Sequence, residues 1–182
     1  HIGDRRQRQM CIRDRYMDVL EAIKKRHSVR AFLDKEVDES VVREIIEVSK
    51  QSPSGVNSQP WKVYAVLGKA RDNLVKEACE KFDAGSWESE EYQVYPNKEN
   101  MPDWYKARQR ACGFGMYGVL GIEREDREKR TAQARKNYEL FGAPVGLFIS
   151  VNKAVGPNGW GHVGHFVLSL IHISEPTRQH HI

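Results

Sequence analysis

Three things are scarce in this sequence: cysteine, long apolar runs, and an excess of either charge once the chain ends are set aside. Three cysteines in 182 residues exclude a disulfide-stapled scaffold and suit a reducing compartment. No stretch between the ends approaches the roughly 20 apolar residues that a membrane-spanning helix needs. Met17 is followed by the acidic Asp18, where a signal peptide would carry basic and then apolar residues. These absences predict a soluble, cytoplasmic protein with no membrane partner.

The charge depends on where the protein body begins and stops. The string "RRQRQMCIRDR" at 5–15 and the string "LSLIHISEPTR" at 168–178 read as translations of opposite strands of one transposon-type sequencing-library adapter. Two unrelated peptides encoded by one oligonucleotide, one at each end, are hard to reach by chance. Residues 1–15 and 168–182 are therefore expected to be non-native extensions around a body at 16–167, with the C-terminal part missing. Six of the 29 Lys and Arg and three of the 25 Asp and Glu lie in these flanks, so the formal charge falls from +4 for the whole chain to +1 for the body. A basic nucleic-acid surface is not expected. Cys79 and Cys112 are the cysteines that remain.

What is present reads as alternating helices and strands. Val19, Leu20 and Ile23 share one face of an amphipathic helix that ends near Arg26. Asp38 is a suitable N-cap for a second helix carrying Val41, Val42, Ile45, Ile46 and Val48, which stops before Pro53. Residues 61–67 alternate and are rich in Val and Tyr, predicting a strand closed by Gly68 and followed by a helix to Lys81. Residues 82–102 form an irregular insertion with Trp87, Tyr92, Tyr95 and Pro96, and insertions of that length tend to be functional. Helices are expected over 103–120 and 126–141. The continuous apolar run at 143–151 predicts a strand buried on both faces. A last element begins after it and is expected to be cut off at Val167. The order implies one mixed α+β domain.

Two stretches carry candidate chemistry. "RHSVR" places Arg26, Ser28 and Arg30 on alternate residues, which in an extended segment would present two guanidiniums and a hydroxyl to one ligand. Guanidinium forks match phosphate oxygens, although for this stretch taken alone a solvated basic turn is the better account. "SPSGVNSQPW" offers backbone amides around Gly55 and neutral heads at Ser54, Asn57 and Gln59. Such groups suit the edge of a planar heterocycle, and they are also ordinary turn formers.

Taken together, in this order and at this spacing, the two stretches resemble the hallmark segments of the FMN-dependent nitroreductase family. A weaker likeness runs through "GFGMYGVLGI", "FGAPVGLFISV" and "GWGHVGHF". The resemblance implies a central mixed, mainly antiparallel sheet flanked by helices, in a homodimer with FMN at the interface. It implies that Arg26, His27, Ser28 and Arg30 hold the phosphate, ribityl chain and pyrimidine side of the flavin. Pro53, Ser54, Gly55 and Asn57, with Gln59 a weaker match, would approach the ring from the other subunit. Trp61 would anchor that loop at the start of the strand. The implied cycle is ping-pong, taking hydride from NADH or NADPH and reducing a nitroaromatic, quinone or similar small-molecule acceptor. Arg30 would offset negative charge on the reduced flavin, and no catalytic side chain is required. With its C-terminal flavin contacts missing, the chain is expected to hold FMN poorly.

Other features are expected to be inert. "GFGMYG" at 113–118 follows a polar helix where a dinucleotide fold needs a strand, so close helix packing is the better account of its glycines. His162 and His165 lack the third ligand that a metal site needs, and Cys112 lacks a setting for a reactive thiolate. Competing readings of function are a flavin-scaffold enzyme that dehalogenates or fragments flavin, and a non-catalytic flavin-binding or partner-binding module.

Overall fold

The computed structural model describes residues 19–86, 96, 97 and 99–178, with side chains as far as residue 174. Trp87, Tyr92 and Tyr95 of the insertion, and the stretch at 1–15, lie outside the described residues. The elements in order are α1 (Val19–Lys25), α2 (Glu39–Ser49), β1 (Trp61–Leu67), α3 (Gly68–Asp83), α4 (Asp103–Val119), α5 (Arg127–Arg135), β2 (Val145–Val151) and α6 (Asn158–Arg178). The chain divides into two compact units, one of residues up to Asp72 together with those from Gly142 on, the other Asn73–Phe141.

In the first unit the strands pair antiparallel, Trp61 opposite Val151 and Leu67 opposite Val145. The architecture is α+β, as expected. Asp38 caps α2, its carboxylate accepting from the Ser40 N–H at 2.7 Å, and this bond holds its carboxyl below the usual carboxylate range. Helix α6 is the spine of the unit, packing against α1, α2 and both strands. Its Phe166 is fully buried, with Ala22 of α1 and Val42 of α2 also in the core. Arg71 donates to the Ala143 carbonyl at 3.0 Å, tying the start of α3 to the entry of β2.

In the second unit, α3 and α5 are joined by Arg135, which donates to the Asp83 carboxylate at 2.8 Å and also pairs with Glu139. Arg135 pulls the Asp83 carboxyl down from its ordinary value. Phe82 and Tyr138 pack with ring centroids 4.8 Å apart.

Three expectations are corrected. The helix expected over 126–141 spans only Arg127–Arg135, because Leu140, Phe141 and Gly142 adopt φ of 53°, 53° and 78°, which no right-handed helix contains. Strand β2 is buried on one face only: Phe148 is 44% exposed and lies opposite Tyr64, itself 55% exposed. An apolar run therefore marks a strand here without marking two covered faces. Close packing among the described residues does not explain Gly113, Gly115 and Gly118, since a methyl group at any of them would meet nothing within 4 Å there. Helix α6 itself runs on past Val167. Residues 168–178 prolong it, because "LSLIHI" supplies no glycine or proline to end a helix already under way.

Candidate functional site

Residues 26–30 leave α1 as irregular backbone, beginning where the Arg26 N–H donates to the Ala22 carbonyl at 3.1 Å. Arg26, His27, Ser28 and Arg30 are exposed, while Val29 is turned partly inward. His27 Nδ1 lies 2.9 Å from the Lys25 carbonyl, and Arg30 donates to the Ser28 carbonyl at 3.3 Å. Arg26, Ser28 and Arg30 are thus exposed, but so is His27, and exposure does not single out the alternate residues.

The second stretch is more tightly built. A single 3-10 turn, Gly55–Asn57, is closed by the Asn57 N–H to the Ser54 carbonyl at 2.9 Å and the Ser58 N–H to the Gly55 carbonyl at 3.0 Å. The Ser54 hydroxyl accepts from the Gln59 N–H at 3.0 Å, and the Gln59 side-chain amide donates to Asn57 Oδ1 at 3.2 Å. Ser54, Asn57 and Gln59 are thereby brought together. Pro53 is exposed, and Ser52 beneath it is buried with its hydroxyl on the Ser49 carbonyl. Val56, Asn57 and Gln59 take φ of 50°, 53° and 43°, a left-handed region that costs a non-glycine residue about 1–2 kcal/mol. Val56 stands at the tip, 99% exposed.

The anchor expected of Trp61 is present. Its ring stacks on Phe166 with centroids 5.0 Å apart and planes at 30°. Behind it a groove of about 590 Å³ runs between α2 and β1, floored by Val42, Ile46, Val63, Ala65 and Phe166. Gln59 also lines this groove. Across the described residues no cluster of three His, Cys, Asp or Glu could hold a metal ion, and no helix is long and apolar enough to cross a membrane.

One contact is invisible in the sequence. A Cβ built on Gly55 would lie 3.1 Å from Cε1 and 3.2 Å from Nε2 of His162, so the imidazole is seated on the loop. The signal that could have revealed it is the i, i+4 relation of His162 to Phe166, which puts both on one helix face. The i, i+3 pairing of His162 with His165 puts two possible metal ligands side by side instead.

A model of the nitroreductase family matches residues 23–168. The chain belongs to the nitroreductase family. Among curated nitroreductase relatives, a 4-nitrobenzoate reductase of Nocardioides sp. is 32% identical over 130 residues, 71% of this chain and 53% of that protein. A nitrobenzene nitroreductase of Ectopseudomonas oleovorans is 31% identical over 132 residues, 72% of this chain and 57% of that protein. The chain thus spans little more than half the length of these relatives. Among solved nitroreductase structures, the FMN and NADPH-dependent NfnB of Sphigopyxis sp. strain HMH superposes with a TM-score of 0.79 at 35% identity, covering 86% of this chain and 70% of that one. NfnB of Mycobacterium smegmatis, solved in complex with NADPH, gives a TM-score of 0.78 at 25% identity and covers 86% and 71%.

Proposed function

We propose that this chain is the larger part of an FMN-dependent oxidoreductase that reduces a nitroaromatic, quinone or similar small acceptor with NADH or NADPH. The observation that carries the reading is the loop at 54–59, whose backbone is strained into a shape that displays three neutral hydrogen-bonding heads. The relatives support it: they are named for nitroarene reduction, and solved neighbours are described as FMN and NADPH-dependent.

The donor set fits FMN. Arg26, Ser28 and Arg30 are exposed on an irregular segment and offer guanidiniums and a hydroxyl to a phosphate and ribityl chain, with His27 beside them. Pro53, Ser54, Gly55, Asn57 and Gln59 carry no charge and suit the ring edge, reached from a second copy in a homodimer. The chemistry FMN supplies when bound is hydride acceptance from the nicotinamide and delivery to the acceptor, in a ping-pong order in which both use one pocket. The protein's part is to bind and orient, and Arg30 held beside the pyrimidine edge would offset negative charge gathering there. We place the protein in the cytoplasm. We also propose that residues 1–15 and 168–182 are non-native extensions; the end of the family match at residue 168 supports this.

The test is a visible absorbance spectrum after incubation with FMN and gel filtration, for this chain and for one whose C-terminus is restored from its source genome. Flavin retained by the restored protein, with NAD(P)H oxidised when a nitroaromatic is added, is the expected result. Retention by neither, in folded dimers, removes the flavin assignment. Retention without turnover would make the protein a binding module.

A further inference from the structure

Gly55 is not required by its own backbone, because it is absent from the residues with positive φ, whereas Val56, Asn57 and Gln59 are among them. What crowds a side chain at Gly55 is the ring of His162, 3.1–3.2 Å from where a Cβ would stand, so the ring would have to give by a few tenths of an ångström. The hydrogen bonds that shape the loop are internal and solvent-exposed, so each contributes only about 1 kcal/mol net against water. Three left-handed residues cost about as much as these bonds return, so an external brace tips the balance. Helix α6 supplies one at both ends: Phe166, fully buried, stacks on Trp61 where the loop joins β1. One turn earlier on the same helix face, half-buried His162 sits on Gly55.

We propose that His162 is a positioning residue whose imidazole, seated on Gly55, holds the 54–59 loop in the shape that presents Ser54, Asn57 and Gln59 to the cofactor. The glycine and the histidine form one device, the absent Cβ making room for the ring. The role toward cofactor rests on the flavin reading above, whereas the brace itself does not.

The experiment compares the 182-residue chain with His162→Ala, Gly55→Ala, the double variant and His162→Phe. The first readout is amide hydrogen exchange at 56–59 without FMN, beside the urea unfolding midpoint; the second is FMN affinity by flavin fluorescence, read on the same substitutions in the chain with its C-terminus restored. His162→Ala should speed loop exchange about tenfold while the midpoint barely moves, because only the local opening equilibrium changes. His162→Phe, which keeps a flat ring, should restore protection. Gly55→Ala should be as damaging as His162→Ala, and the double variant should recover part of the loss, since the new methyl enters the vacated space. Unchanged exchange in His162→Ala, or strictly additive effects in the double variant, would overturn the proposal. If these couplings appear but the chain with its C-terminus restored binds no FMN, the brace stands and the flavin assignment falls.

Discussion

The stretches at 26–30 and 54–59 are both exposed, polar and irregular, yet they are held in different ways. The first has charged heads on an irregular backbone, with short-range contacts such as Arg30 to the Ser28 carbonyl. The second has neutral heads on a backbone forced into left-handed conformations, bonded across itself and gripped from α6 at Gly55 and Trp61. A ligand meeting the first is recognised by charge, which tolerates rearrangement and is screened by salt. A ligand meeting the second is recognised by prearranged shape, which is lost if the support moves.

The comparison can be broken most forcefully at the support. Phe166→Ala should cost about 3–5 kcal/mol in urea unfolding, and amide exchange should accelerate more at 54–59 than at 26–30. Equal acceleration would mean that the loop does not depend on α6 more than its counterpart does.

Next in size, replacing Arg26 and Arg30 by Ala should weaken FMN binding by about tenfold to a hundredfold at low ionic strength. That deficit should shrink as salt is raised, with no change in the unfolding midpoint. A salt-independent loss would show that these arginines act by shaping the backbone. Ser54→Ala removes the acceptor for the Gln59 N–H and should cost about 1 kcal/mol locally. Its several-fold loss of FMN affinity should be indifferent to salt, in contrast to the arginine variants. Smallest of all, Val56→Gly should relieve left-handed strain at the cost of a floppier unfolded chain, a net gain of under about 1 kcal/mol in urea unfolding. A fall in stability there would mean that the exposed valine, despite its φ of 50°, is making contacts that matter.

Much of the fold was legible because local signals were strong. Strand β1 spans residues 61–67, as its alternation and Gly68 predict, and Asp38 caps α2 in the geometry its side chain favours. Where local signals competed with long-range structure they misled. The periodic pattern beyond Arg135 suggested more helix, but Leu140 and Phe141 turn left-handed to bring the chain to β2. The apolar run of β2 suggested two covered faces, yet Tyr64 and Phe148 face outward together.

By itself the sequence determined the order of helices and strands, the family, and the two polar stretches that carry the candidate contacts. These depend on composition and spacing within a few residues, where capping, alternation and turn chemistry act. Only the tertiary structure decided that residues 54–59 are strained and that Trp61 rests on Phe166. It alone decided that His162, more than a hundred residues away, occupies the space beside Gly55. Such contacts arise from packing between distant segments, and excluded volume leaves no mark in the spacing of either one.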